Sequence, residues 1–277
     1  MESKDLTIVI VTFKSEAKIS ICLNSISKEI PVIIVENSNN GNFKKEIESK
    51  FNNVDCILTK DNKGYATANN IGLKKVKTKY ALVLNPDTVL DKDAIKNFLS
   101  TANRKNDFWL IGPASDQMIE VNFKNDNLKE VDNLKGFAIF LNLSKFQNNF
   151  FDENFFLFFE EIDLCKKVKN SKGLIYLDKN IIIKHEGANS VFSKNSSELE
   201  KNRNWHWMWS TFYFKKKYHG FFIACLLILP KLVSSIFKSL FYLVIFNKEK
   251  RDIYFYRLSG IFNSMIGQKS WYRPSLD

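Results

Sequence analysis

The sequence predicts an α/β fold: a mixed, mostly parallel sheet flanked by helices, followed by a helical extension. Three observations predict it. Apolar strand-like runs at residues 6–11 and 30–35 enclose a segment of helical period, which is the pattern of a βαβ unit with parallel pairing and a right-handed crossover. A third run, Tyr80–Leu84, ends in Asn85-Pro86-Asp87, as a buried strand does where it opens at the sheet surface. The charge is also segregated. Residues 201–277 hold 13 Lys+Arg against Glu249, Asp252 and Asp277, whereas the other 200 residues hold 28 bases and 27 acids. A nearly neutral body, residues 1–200, therefore precedes a basic, aromatic tail, residues 201–277.

Taken in order, Met1 to Asp5 lead straight into the first strand, with no secretion signal between them. Ser15 is placed to cap a helix whose inner face is Ile19, Cys22, Leu23 and Ile26. The second strand ends in Glu36-Asn37-Ser38. Phe43, Ile47 and Phe51 mark the next helix, and residues 55–59 a short strand. Residues 62–72 (Asn-Lys-Gly-Tyr-Ala-Thr-Ala-Asn-Asn-Ile-Gly) place small side chains at 64, 66 and 68. That lets a backbone approach either a phosphate or a neighbouring strand. A dinucleotide fingerprint is absent, since no Gly-x-Gly-x-x-Gly follows the first strand.

Ligands of open α/β sheets bind at the carboxyl ends of the strands. Asp87 stands at such an end, where a carboxylate can hold a hard divalent cation, although Asn85-Pro86-Asp87 is also ordinary turn chemistry. Asp91 is expected to cap a helix with Ala94, Ile95, Phe98, Leu99 and Ala102 inward. Residues 109–112 and 137–141 read as strands. An aromatic run, 150–159, leads into Glu160, Glu161 and Asp163. Three carboxylates beside so many rings should include one of raised pKa, as a base working near neutrality needs, or they are acids suiting a helix N-terminus. Residues 174–177 and 181–184 read as a strand pair ending in His185-Glu186-Gly187, with His185 either structural or a metal ligand.

The totals are those of a globular chain, 45% hydrophobic with 25 Phe. Cys22, Cys56, Cys165 and Cys225 show neither metal nor redox spacing and are expected as reduced core thiols.

Over roughly residues 6–190 the chain resembles the inverting family-2 glycosyltransferases of the GT-A fold, nearest the rhamnosyltransferase-like branch. The resemblance rests on Val11-Thr12-Phe13, Val35-Glu36-Asn37-Ser38, the Asn62-to-Gly72 segment and Leu84-Asn85-Pro86-Asp87. It rests further on Phe151-Asp152-Glu153, Phe158-Phe159-Glu160-Glu161-Ile162-Asp163-Leu164-Cys165 and His185. It implies a nucleotide-sugar donor held by Thr12, Phe13, Glu36, Asn37, Asn62, Gly64, Asn70, Asn85 and Asp87. It implies Mg²⁺ or Mn²⁺ at Asp87, with His185 completing the shell, and Gly136 on the acceptor side. Glu161 stands at the position of the family's catalytic base, with Glu160 and Asp163 as alternative holders of that role. The branch implies deoxythymidine-diphosphate rhamnose as donor and a glycan or polyprenyl-linked acceptor. Three positions depart from the family pattern: Glu36 and Glu161 replace Asp, and Asn85 replaces an acid.

In the tail, residues 221–246 are apolar except for Cys225, Pro230, Lys231, Ser234, Ser235, Lys238, Ser239 and Tyr242. Positions 231, 234, 235 and 238 form one polar stripe on a helix. With the flanking bases, this predicts a helix or helical hairpin in contact with an anionic membrane surface, at the cytoplasmic face of the inner membrane, peripheral or monotopic. His206 and His219 receive no role. Nucleic acid is not an expected partner, because the lysines alternate with long apolar runs and no nucleic-acid-binding module accompanies them. The alternatives are a catalytically idle membrane adaptor that binds nucleotide sugar, and a nucleotidyltransferase of similar fold that releases pyrophosphate.

Overall fold

The computed structural model describes residues 3–114, 126–185 and 196–273. The chain divides into two compact units, one of Met1–Asp152 with Glu161–Phe192, the other of Glu153–Glu160 with Ser193–Asp277.

The first unit begins β1 (Leu6–Thr12), α1 (Glu16–Asn24), β2 (Val32–Glu36), α2 (Gly41–Lys50), β3 (Val54–Leu58), α3 (Tyr65–Leu73) and β4 (Tyr80–Leu84). These four strands pair in parallel in the order β3-β2-β1-β4. β5 (Thr88–Leu90), α4 (Ala94–Arg104), β6 (Phe108–Pro113), β7 (Leu128–Glu130), β8 (Ala138–Asn142), α5 (Glu160–Asn170), β9 (Leu174–Asp178) and β10 (Ile183–His185) follow. β8 lies antiparallel between β4 and β6, and β6, β9 and β7 complete an eight-stranded sheet. The near-continuous apolar character of the central strands is explained by cover on both faces. Ile8, Ile10, Leu82 and Phe140 join one core, and Val9, Val83 and Ile139 the other.

Three expectations need correction. β9 and β10 do not pair with each other. The apolar β9 is taken into the sheet between β6 and β7, while β10 pairs antiparallel with β5 in a separate two-stranded ribbon. Two three-residue strands, β5 and β7, were too short to carry a periodic signal. α4 starts after Asp93 rather than Asp91, whose carboxylate instead accepts the Asp93 N–H. Ser15 does precede α1, but its hydroxyl bonds the Phe13 carbonyl and caps nothing. The small residues of α3 serve close packing on the sheet: a Cβ on Gly72 would lie 2.5 Å from Val9 Cγ1.

The second unit is helical: α6 (Ser196–His219), α7 (Phe221–Val244) and α8 (Lys248–Met265). Met208, Phe212, Ala224, Ile228 and Ile261 form its core. α6 and α8 cross closely at Gly260, where a Cβ would meet the Trp205 carbonyl oxygen at 2.3 Å. His206 is fully buried and holds the segment after α8. Its Nε2–H donates to the Tyr272 carbonyl at 2.9 Å, and Nδ1 accepts the Ser270 hydroxyl at 2.8 Å. Burial, reinforced by the nearby Arg273 charge, pushes its pKa down to about 3, so the ring is neutral. The rings of the aromatic run belong here too: Phe155 meets Tyr213 edge-on and Phe156 stacks on His206.

Candidate active site

Parallel pairing puts Thr12 beside Glu36, at the carboxyl ends of β1 and β2. Thr12 Oγ1 is buried and has no hydrogen-bond partner among the described residues. Around it the loops are cross-braced. The Asn37 amide accepts from Lys63 N–H and Thr59 Oγ1 and donates to Asn62 Oδ1, which also accepts Gly64 N–H. Gly64, at φ +83°, opens α3 in a conformation that suits glycine. The Glu36 carboxylate turns onto its own loop and accepts from Ser38 N–H, Ser38 Oγ–H and Asn40 N–H. The extra methylene of Glu over Asp gives it that reach. Asn70 pins the backbone of Phe151 through both its amide atoms, at 2.9 and 3.0 Å. Phe13, half-buried, donates its N–H to Ser15 Oγ.

Past the end of β4, Asp87 is 5% exposed, and neither carboxylate oxygen has a hydrogen-bond partner among the described residues. Leaving a buried carboxylate in that state is costly unless a cation meets it. The β5–β10 ribbon sets His185 opposite Thr88, and its Nε2 lies 3.4 Å from Asp87 Oδ1 and 3.5 Å from Asn85 Nδ2. The Phe137 ring stacks on the imidazole at 4.7 Å, and Thr88 Oγ1 ties the turn by donating to the Asn85 carbonyl. An oxygen and a nitrogen ligand side by side, one buried and unpaired, fit a hard divalent cation. Among the described residues no group of three or more His, Cys, Asp or Glu that could hold a metal ion occurs. Glu186 and Gly187 lie outside the described residues.

Glu161 lies in the first turn of α5. Part of the residue reaches solvent, but its carboxyl is enclosed by protein, and that burial pushes its pKa above the ordinary range. Hydrogen bonds from the Glu161 and Ile162 backbone N–H groups, and then the Lys135 charge, act the other way. A Cβ on Gly136 would stand 3.3 Å from Glu161 Cγ, so glycine leaves this side chain room. Glu160 and Asp163 are both buried.

Tyr65 was not among the residues singled out from sequence, yet it links the two halves. Its hydroxyl contacts Asn85 Oδ1 at 2.8 Å and the Gly136 carbonyl at 3.2 Å. A chain of polar contacts thus runs from Asp87 and His185 through Asn85 and Tyr65 to the Gly136 carbonyl, and Glu161 lies on the Cα side of Gly136. The antiparallel β4–β8 pairing, Leu84 opposite Ala138, is what brings Gly136 and Phe137 to the mouth of β4. A periodicity search could not have found this, because it depends on β8 inserting beside β4.

Among proteins of known activity, the chain is 27% identical over 192 residues to the low-salt glycan biosynthesis hexosyltransferase Agl10 of Haloferax volcanii. That match covers 60% of this chain and 62% of the relative's length. The mannosyltransferase PcManGT of Pyrobaculum calidifontis, solved with GDP-Man and Mn²⁺, superposes with a TM-score of 0.58 at 9% identity, covering 94% of this chain and 87% of that one. S. aureus TarS 1–349 with UDP gives 0.55 at 15% identity, covering 97% and 93%. At such identities the two structures share the fold alone. The model of glycosyl transferase family 2 matches residues 7–164, more than half of the sequence, a range that includes Thr12, Asp87 and Glu161. The chain belongs to glycosyl transferase family 2.

Proposed function

We propose that this chain transfers a hexose or deoxyhexose from a nucleoside-diphosphate sugar to a glycan hydroxyl, with inversion at the anomeric carbon. The observation that carries this reading is the buried Asp87 carboxylate, without a hydrogen-bond partner among the described residues and 3.4 Å from His185 Nε2, at a strand end that Tyr65 ties to Gly136 beside Glu161. Asp87 and His185 would hold Mg²⁺ or Mn²⁺, which when bound neutralises charge on the departing diphosphate. Thr12 Oγ1 is free to bond the nucleoside, between loops that Asn37 and Asn62 hold in place. Glu161, ionised, takes the proton of the acceptor hydroxyl. The acceptor oxygen then bonds to C1 as the C1–O bond to the diphosphate breaks, through an oxocarbenium-like transition state. One carboxylate and one displacement suffice, and the products are the extended glycan and a nucleoside diphosphate.

The activity of the Haloferax volcanii relative supports a hexosyl donor and a glycan-building role. The donors and the Mn²⁺ named for the solved neighbours support a nucleotide sugar with a divalent cation. We further propose a lipid-linked acceptor, met at the cytoplasmic face of the membrane. A panel of UDP-, GDP- and dTDP-sugars, dTDP-rhamnose included, with and without Mn²⁺, tests the reading by thermal shift and by release of nucleoside diphosphate. Metal-dependent stabilisation by one donor, with release of its diphosphate, is the expected outcome. Pyrophosphate release would mean a nucleotidyltransferase. Donor binding unchanged in Asp87→Ala, without turnover in either protein, would mean an adaptor.

A further inference from the structure

The second unit carries a surface that the transfer chemistry does not use, the outer face of α7. Phe222, Leu226, Phe237 and Val244 are 83%, 70%, 70% and 73% exposed. With Leu229, Val233 and Leu240 they recur every three or four residues, on the side of the helix opposite the buried Ala224, Ile228 and Ser235. No Asp, Glu, Lys or Arg interrupts this face. An uncovered apolar strip of this length is far larger than a soluble monomer ordinarily shows to water.

Charge identifies what covers it. The tail is strongly basic, and the two lysines of α7 are exposed on the side of the helix away from the apolar strip. Ser235, between them in the stripe, turns inward with its hydroxyl on the Lys231 carbonyl, and the Lys238 ammonium sits 5.1 Å from the Tyr254 ring of α8. An apolar strip carried by a strongly basic unit complements an anionic lipid leaflet, whose acyl chains take the first and whose phosphates attract the second.

By length and composition α7 could also cross a bilayer. Its packing argues otherwise. α7 packs along α8, whose Arg251, Asp252 and Arg257 lie within the same helical unit, and Arg257 donates to Asn204 of α6. Carrying α7 through the hydrocarbon would carry those charges with it, along with Lys201 and its partner Glu198. We infer that α7 lies in the plane of the membrane, half-sunk in an anionic leaflet with its outer face toward the acyl chains. This deepens, and rests on, the membrane location proposed above, but it does not depend on catalysis.

Spin labels placed on the full chain by Phe222→Cys, Leu226→Cys, Phe237→Cys and Val244→Cys, one at a time in a Cys225→Ser background, test it. Depth is read by oxygen and nickel-chelate relaxation on phosphatidylcholine–phosphatidylglycerol vesicles. All four labels are expected at one shallow depth, with binding at least tenfold weaker on phosphatidylcholine alone. A depth that rises to a maximum in mid-helix and falls again would mean a spanning helix and overturn the inference. So would labels that stay water-accessible on vesicles, or spin–spin broadening in lipid-free solution from a second copy on the strip. Neither donor nor acceptor is added, so a chain inactive as a transferase still yields the depth profile.

Discussion

In the α/β unit most apolar side chains are enclosed, and among the described residues both Asp87 oxygens and the Thr12 hydroxyl, at strand ends, and the Asn69 amide oxygen, in α3, are buried without a hydrogen-bond partner. In the helical unit the core is small; Asn202 Oδ1 and Ser264 Oγ are buried without a hydrogen-bond partner among the described residues, but most of what is left over is apolar, spread along the outside of α7. Each unit is incomplete in the currency of a different partner. An inward-facing unpaired carboxylate calls for a small cation and a phosphate. An outward-facing greasy strip calls for lipid. On the function and membrane contact proposed above, chemistry belongs to one unit and attachment to the other, and substitutions can separate them.

The largest expected effect is that of Asp87→Ala. Loss of the cation ligand should lower kcat/KM by about 10³-fold or more and abolish the Mn²⁺ response of donor binding, while vesicle binding stays unchanged. Initial rates and flotation on the same preparation check both halves.

Glu161→Gln should cost about 10²–10⁴-fold in kcat with little change in donor affinity, as removal of a general base does. It should also raise the melting temperature. A carboxyl whose folded pKa lies above its unfolded value favours the protonated form. The native state therefore loses stability as pH climbs from the unfolded toward the folded pKa, and a neutral isostere escapes that loss. For the same reason, the acid limb of the wild-type rate profile should fall above the ordinary glutamate value of about 4.3. A variant both inactive and less stable would place Glu161 among structural acids.

Tyr65→Phe should lower kcat roughly tenfold, the size of one or two lost hydrogen bonds between the cation side and the base side. Donor affinity should change less than kcat, a split that steady-state kinetics can read.

The smallest effect on catalysis belongs to the helical unit. His206→Ala removes two buried hydrogen bonds and should cost about 1–3 kcal/mol of stability, measured by denaturant unfolding, with turnover at low temperature intact. Because burial holds the folded imidazole neutral, with a pKa of about 3, while the unfolded ring takes a proton near its ordinary value of about 6.5, this contribution should be full above about pH 7 and be lost progressively as the pH falls below that.

Much of this was legible in the residues. The strands of the first half announce themselves because both faces are covered, so each reads as an unbroken apolar run. Asp87 was legible because Pro86 and the strand before it fix where the carboxylate stands. What could not be read was whatever depends on non-local pairing. β9 and β10 look like a hairpin in sequence and separate in space, because β6 and β7 take the apolar β9. That separation carries His185 to Asp87. Tyr65 was hidden for a related reason: its partners, Asn85 and the Gly136 carbonyl, lie 20 and 71 residues away. Glu36 was legible as a residue at a strand end, but not in the bonds it makes to its own loop, since these follow from the length of its side chain.

The measurement that tests the central claim most directly is calorimetric titration of Mn²⁺ into the chain saturated with UDP, GDP or dTDP in turn, for the wild type and for Asp87→Asn. One nucleotide is expected to support a single metal site in the wild type, at least tenfold weakened in the variant. Equal Mn²⁺ affinity in the two proteins, or none in the wild type with any nucleotide, would contradict the account.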